Sequence, residues 1–346
     1  MERDYYHSID SLKFIAVACF MYFVFGMTDG VGNVVRNCLS FAVPLLFMTY
    51  GFLLLGNDED QSGIIGRSIG RNCAVFGISI IVFALISFAY VRLTDTELVF
   101  STNSIIDFLL YGKWQLPVGE YVWFTASLVL ALVVFFIFSK TTLLRRGWFV
   151  VLLLVVTLGV NLVFGEFSGL FKWGYLPNGF FNSAIPFMLI GKIIKDRENQ
   201  VFDLGPIVSA VVVVIGLLVT FGEMYMLNYF TRFNFTSNYI GSLICAIGFL
   251  MFAVQFPDFG EMSGFAYWGG GCATWMFLLA NPVSMFINYV LPQNEQVIFI
   301  FKPFIIFLVS MFIALIITSI IHLTSPSPKT SEDGESEEED DDLLTE

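Results

Sequence analysis

The sequence predicts an all-α fold: a polytopic membrane helical bundle with about ten transmembrane helices. Hydrophobic residues make up 57% of the 346 residues and charged residues only 13%, whereas soluble domains carry about 25% charged residues. The apolar stretches are about 20 residues long, the length that a helix needs to cross a bilayer. They do not alternate polar and apolar residues with a period of two, which excludes membrane β-strands.

Hydropathy places ten candidate spans along the chain, each close to the length that a bilayer requires. Two prolines, Pro177 and Pro186, interrupt the sixth of them. The spans cover roughly residues 8–28, 34–56, 70–92, 119–139, 147–165, 176–195, 204–227, 239–256, 265–291 and 297–323. Together with their loops they form one predicted transmembrane domain, residues 1–324.

The remaining residues, 325–346, form an acidic tail. The chain has a net charge of −12, and 10 of its 29 acidic residues lie between Glu332 and Glu346. The tail has no apolar periodicity that could be buried, so it is expected to be disordered and solvated.

Loop charges predict the orientation of the bundle. A cytoplasmic N-terminus leaves ten Lys and Arg residues in cytoplasmic segments and five in outside loops, which fits the positive-inside rule. We therefore expect a multi-pass protein of the plasma membrane with both termini in the cytoplasm. The cytoplasmic set is Arg3, Arg67, Arg71, Lys140, Arg145, Arg146, Lys192, Lys195, Arg197 and Lys329, and the outside set is Arg36, Arg92, Lys113, Lys172 and Arg232.

The first span carries an acid and a base where it enters the membrane. Asp10 and Lys13 are three residues apart and therefore lie on one face of a helical turn, and no charged residue follows until after Gly26. A lysine at this position has two interpretations. It snorkels to the lipid headgroups, or it faces a cavity and holds an anion.

Metal and disulfide chemistry are not expected. The five cysteines are odd in number, widely spaced and free of any CxxC pair, so we interpret them as small core residues. They are Cys19, Cys38, Cys73, Cys245 and Cys272. The two histidines, His7 and His322, lie near predicted helix ends and far apart in sequence, which argues against a zinc site.

Several stretches, in this order and spacing, resemble the acyltransferase-3 family. The first span has that family's acid, base and long apolar run, and the second has a Val-Pro-aromatic-Gly pattern. The matching stretches are Ile9–Gly26, Phe41–Gly56, Arg67 with Arg71, Glu120–Val134 with its Trp123–Phe124 pair, Asn182–Lys195 and Thr274–Phe286. Members of this family are ten-span membrane enzymes that O-acylate sugars and cell-envelope glycans.

The resemblance implies a donor and an acceptor but no bound cofactor. The donor would be acyl-CoA, with acetyl-CoA as the expected form, and the acceptor would be a hydroxyl of a sugar or glycan. Lys13, Arg67 and Arg71, with Asp10, would form the donor-binding site, because phosphates need cations. The two arginines also have a simpler interpretation as positive-inside anchors. The lipid bilayer is the expected surrounding, and no nucleic-acid partner is expected.

The sequence departs from the family at its usual histidines. Eleven residues after Lys13, where the family has a histidine, stands Val24, about 16 Å further along the helix. Tyr121 and Asn281 stand at two other positions where the family often has a histidine. Valine cannot act as a base, so Glu120, Tyr121 and Asn281 are the only candidates for catalysis that the motifs offer.

Two of the three catalytic candidates have a simpler interpretation beside the functional one. Glu120 can be interpreted as an acid of an outside loop, and Asn281 as a residue that forms hydrogen bonds in the core. Lys302, which precedes Pro303 in the tenth span, resembles Lys13 in kind, and the proline is expected to kink that helix. No catalytic base is assigned from the sequence.

Two functions remain open at this point. The first is an integral-membrane acyltransferase that moves an acyl group from cytoplasmic acyl-CoA to an envelope glycan. The second is a catalytically lapsed relative that transports a glycan or lipid, or acts as a membrane scaffold through its acidic tail. The missing histidines favour the second, and the retained cations at Lys13, Arg67 and Arg71 favour the first.

Overall fold

The computed structural model describes residues 6–26, 30–56, 61–94, 108, 116–163, 179–230, 240–262, 264–290 and 296–324. Within these ranges the regular structure is entirely helical, which confirms the predicted all-α membrane bundle. The predicted acidic tail, residues 325–346, lies outside the described residues.

Thirteen α-helices run through the described part of the chain. They are α1 (His7–Phe25), α2 (Gly30–Cys38), α3 (Ala42–Leu54), α4 (Gln61–Thr94), α5 (Val122–Lys140), α6 (Gly147–Asn161), α7 (Ile185–Asp196), α8 (Glu198–Asp203), α9 (Pro206–Phe230), α10 (Ile240–Gln255), α11 (Phe265–Gly271), α12 (Ala273–Val290) and α13 (Gln296–Thr324). A π-helical turn, Phe180–Ala184, leads into α7, and a 3-10 turn, Leu143–Arg145, precedes α6.

Six of the described helical segments are long and apolar enough to cross a membrane by themselves. They are His7–Phe25, Val31–Leu54, Gln61–Arg92, Val122–Lys140, Pro206–Met226 and Phe301–Ile321. Helices α6 and α10 are apolar but shorter, and α7 is shorter still. Each of the ten predicted spans therefore contains a helix, although several are shorter than predicted.

The ninth predicted span, 265–291, is not one straight helix. It is divided into α11 and α12, which meet at Cys272 with a bend of 74°. Three consecutive glycines, Gly269 to Gly271, end α11. Glycine is a poor helix former, and its lack of a side chain lets α11 approach α1 closely, so this stretch bends where hydropathy alone predicts a continuous span.

The chain turns sharply between α8 and α9. Gly205 has a φ of +76°, a left-handed conformation that glycine adopts without strain, and Pro206 occupies the first turn of α9. The side chain of Gln255 holds this corner, because its amide donates to the carbonyls of Val201 and Gly205 at 2.9 and 3.0 Å. The turn thus fixes α9 against α10.

Glycines set the closest helix crossings. A Cβ built on Gly51 of α3 would lie 2.0 Å from the carbonyl oxygen of Met188, and one on Gly191 of α7 would lie 2.0 Å from that of Met48. The two backbones therefore touch, as small residues permit inside a membrane. Helices α9 and α10 cross in the same way at Gly216, Gly241 and Gly248.

Helix α1 lies at the centre of the bundle and packs against α3, α10, α11, α12 and α13. Helices α4, α9 and α13 lie at the periphery, where only 17–22% of their most apolar segments is buried. Their exposed side chains are mostly aliphatic and aromatic, which suits contact with lipid.

Candidate functional site

Lys13 is buried inside the bundle. The residue is 8% exposed, and its Nζ donates a hydrogen bond of 2.8 Å to Oδ1 of Asp10, itself 7% exposed. The ammonium also lies 5.4 Å from the ring centroid of Tyr50, within the range of a cation–π contact. The lysine therefore does not snorkel out of the bundle but faces a cavity within it.

The start of α1 is tied down by its neighbours. The Ser8 hydroxyl donates to the carbonyl of Ala253 at 2.7 Å, and the Ser8 amide donates to the carbonyl of Pro257 at 2.9 Å. On another side, α11 approaches so closely that a Cβ on Gly269 would lie 1.6 Å from the carbonyl oxygen of Asp10. These contacts fix the turn that carries Asp10 and Lys13.

A cavity of about 500 Å³ opens beside Lys13, and we call it the Lys13 cavity. Arg71 of α4 lines it together with Lys13, so two cations from distant parts of the chain share one space. The Tyr50 hydroxyl and the Thr274 Oγ1 form a 2.8 Å hydrogen bond in its wall. The walls come from α1, α3, α4, α11, α12 and α13.

The predicted donor-binding residues are therefore only partly brought together. Asp10 supports the site through its ion pair with Lys13. Arg71 is exposed at the rim of the cavity, and Arg67, one turn earlier on α4, is exposed and is not among the lining residues. The four-residue spacing placed both arginines on one helix face, but they are about 6 Å apart along the helix axis and only Arg71 reaches the cavity.

Glu120, Tyr121 and Asn281 come together elsewhere in the bundle. The Asn281 Oδ1 accepts a hydrogen bond of 3.1 Å from the Gly119 amide, and its Nδ2 lies 3.5 Å from Oε2 of Glu120. Gly119 has a φ of +92°, and a Cβ there would strike the Phe83 ring at 2.6 Å. Asn281 thus holds the glycine turn that leads into α5, which matches its simpler interpretation as a hydrogen-bonding residue.

The aromatic core separates this group from the Lys13 cavity. Tyr121 is buried, with its ring centroid 5.0 Å from that of Phe20 and 5.7 Å from that of Phe277. Phe20 follows Lys13 on α1 by seven residues, about 10 Å along the helix. Glu120 remains exposed. The cation site and the three catalytic candidates therefore lie on opposite sides of a packed aromatic layer.

Three further residues singled out in the sequence, His7, Val24 and Lys302, are not among the residues that line the cavity. The Nε2 of His7 is 3.9 Å from Oε1 of Glu261, beside a different surface depression. Val24 is half-buried and packs against the core. Lys302 precedes the lining residue Thr318 by sixteen positions on α13, about 24 Å along the helix.

The cysteines of the described chain are all free, with Cys245 and Cys272 fully buried and Cys73 exposed on α4. Among the described residues, no cluster of three or more His, Cys, Asp or Glu side chains could hold a metal ion. The Cys272 thiol lies 3.5 Å from Oγ1 of Thr318 in α13, which links the bend after α11 to that helix.

Sequence reasoning missed two polar pairs. Tyr50 and Thr274 lie on separate spans, and nothing in their spacing indicates that they meet. The ion pair of Lys192 and Asp196 was detectable, because the two residues are four apart on one helix face. Lys192 is fully buried, and its Nζ lies 2.9 Å from Asp196 Oδ2.

The family comparison identifies the class of protein. The family model described as an acyltransferase domain, that of the acyltransferase-3 family, matches residues 6–323. This match covers nearly the whole chain, so the chain belongs to the acyltransferase-3 family. Together with the membrane-spanning helices, it makes the chain a multi-pass membrane protein of an acyltransferase family.

A search for individual relatives adds little to this identification. An amino-acid racemase of Enterococcus faecalis is 24% identical over 216 residues, which covers 57% of this chain and 28% of the racemase. The chain thus matches less than a third of that protein's length, and the racemase name carries no conclusion about this chain. No solved structure matches it.

Proposed function

We propose that the chain is an integral-membrane acyltransferase that moves an acyl group, preferentially acetyl, from cytoplasmic acyl-CoA to a hydroxyl of a sugar or envelope glycan. One observation carries the proposal: Lys13 and Arg71 line a single cavity of about 500 Å³. Two cations in a partly enclosed space suit an anionic donor, because hydrogen bonds from charged donors to phosphate are stronger than neutral ones.

The position of the cavity supports a cytoplasmic donor. It lies near the start of α1, the end of α3 and the end of α13, and beside the first half of α4. The loop charges predict that all of these helix ends face the cytoplasm. An acyl-CoA molecule would then enter the cavity from the compartment in which it is made.

A second candidate function rests on the absence of an imidazole. Val24 occupies the position of the family's histidine, and the Asn281 side chain is engaged with Gly119 and Glu120. Among the described residues that line the Lys13 cavity there is no histidine. These observations support a lapsed family member that binds a donor-like anion without acyl transfer, as a transporter of a glycan or lipid or as a scaffold.

Acyl-CoA binding and hydrolysis by the purified protein in detergent test the proposal. We expect saturable binding of acetyl-CoA that Arg71→Gln weakens and Arg92→Gln leaves unchanged, since Arg92 lies on the same helix but far from the cavity. Binding with slow release of free CoA supports the enzyme, and binding without release supports the lapsed relative. An intact, folded protein that binds no acetyl-CoA would exclude the donor site.

A further inference from the structure

A second, much smaller space adjoins the Lys13 cavity. It has a volume of about 10 Å³ and shares three lining residues, Lys13, Tyr50 and Thr274, with the main cavity. Leu46, Phe124, Ala273 and Phe277 complete its walls. A space of this size holds about one water-sized group.

Packed aromatic rings close the space on its far side. The Phe124 and Phe277 rings are 4.6 Å apart between centroids, and each is 1% exposed. Phe20 stacks on Phe277 at 4.1 Å, and Phe47 packs against Phe124 at 4.5 Å. These four rings pack against one another and form the aromatic wall on that side of the small space.

The burial of the two cations gives the cavity a direction. Arg71 is exposed and marks the rim, whereas Lys13 is buried and marks the inner end. The charged and bulky part of an acyl-CoA molecule is favoured at the rim, where its phosphates keep partial contact with water. The thioester end then points inward, towards Lys13, Tyr50 and the small space behind them.

We propose that Phe124 and Phe277 determine acyl-chain length, so that the site takes a donor with a short acyl group such as acetyl and rejects longer chains. This inference rests on the proposed function, since it concerns the donor of that reaction. The methyl end of an acetyl group fills the small space with only slight shifts of its walls. A longer chain has to displace two buried aromatic rings, which a close-packed core resists.

A binding assay with a series of donors tests this inference. CoA, acetyl-CoA and hexanoyl-CoA are titrated into the purified full-length protein in detergent, each below the concentration at which it forms micelles. The variants are Phe124→Ala and Phe277→Ala, with Phe135→Ala as the matched control. Phe135 is buried on the same helix as Phe124 but lines neither space.

We expect the wild-type protein to bind hexanoyl-CoA at least about tenfold more weakly than acetyl-CoA, the scale of overpacking a core. Phe124→Ala and Phe277→Ala should reduce this difference to about threefold or less, because they open the wall. Phe135→Ala should leave the difference unchanged. Phe124→Leu and Phe277→Leu remove less side-chain volume, so they should reduce the difference between the two affinities only partly. They replace the alanine variants if either of those does not fold.

Two failures are distinguishable. Two results would overturn the chain-length inference and leave the proposed function standing. Either the wild-type protein binds acetyl-CoA and hexanoyl-CoA equally, or the folded Phe124→Ala and Phe277→Ala variants keep the full difference between the two affinities. Wild-type protein that binds neither CoA nor acetyl-CoA would overturn the proposed function, and the inference with it.

Discussion

The α-carbon of Gly269 lies directly against the carbonyl oxygen of Asp10, so that a Cβ at position 269 would be only 1.6 Å from that oxygen. The contact joins the short helix α11 to the turn of α1 that carries Lys13. It is a contact between two backbones and cannot be relieved by rotating a side chain.

Gly269→Ala should therefore push α11 away from α1 and destabilise the bundle by about 1–3 kcal/mol or more, the cost of overpacking. Acetyl-CoA binding should weaken too, because Gly269 lines the Lys13 cavity. Gly77→Ala is the control, since no atom lies within 4 Å of a Cβ built at that helical position. Melting temperatures in detergent give the comparison, and an unchanged value for Gly269→Ala would contradict the packing described.

Lys13→Gln should weaken acetyl-CoA binding by about 1.5–3 kcal/mol, the scale of a hydrogen bond to a charged group. From the sequence alone, a lysine at the membrane mouth would be replaceable without loss of expression. The structure alters that expectation, because the substitution breaks an ion pair whose two residues are less than 10% exposed. Breaking a buried pair costs about 3–5 kcal/mol of stability.

The double variant Asp10→Asn with Lys13→Gln separates the two effects. It removes both charges, so it should recover part of the lost stability while binding stays weak. Recovery of acetyl-CoA binding in the double variant would show that Lys13 matters for folding and not for the donor.

Val24→His should lower stability without raising turnover. Val24 packs against the core, so an imidazole there buries a polar ring, at a cost of about 1–3 kcal/mol if the ring finds no partner. The replacements at Tyr121 and Asn281 suggest that the family's imidazoles were lost as a set. Acetyl-CoA hydrolysis is measured for Val24→His and, as the control, for Val24→Ala. A clear gain in turnover in Val24→His would favour an intact acyl-transfer site.

Both termini are expected in the cytoplasm, from the distribution of Lys and Arg among the loops. Reporter fusions at residues 1 and 346, active on only one side of the membrane, check the orientation. A signal from the outer side at both ends would reverse the orientation and remove the basis for a cytoplasmic donor.

Deletion of residues 325–346 should leave the bundle folded. The sequence of the tail offers no apolar face to bury, so we expect it to contribute little packing. The melting temperature of the truncated protein in detergent should match that of the full chain within a few degrees. A large decrease would mean that the tail packs against the transmembrane domain.

The sequence predicted the helices better than their contacts. Long apolar runs determine where a chain must be helical in lipid, so a helix could be predicted in each of the ten apolar stretches, although only six of the described helical segments are long enough to span a membrane by themselves. The bend at Cys272 was not predicted, because hydropathy does not reflect the conformational freedom of three consecutive glycines. Asp10 and Lys13 could be paired from their spacing on one helix. The meeting of Lys13 with Tyr50, Arg71 and Thr274 depends on how four separate helices pack, which periodicity along one helix does not encode.

The crossing of α3 and α7 at Gly51 and Gly191 restricts which parts of the protein can move. Backbone lies against backbone there, with no side chain that could change rotamer to let one helix slide past the other. We therefore expect α3 and α7 to move little relative to each other. An opening that admits a donor would come from helices that are less buried in the bundle, such as α4 and α13, which border the Lys13 cavity.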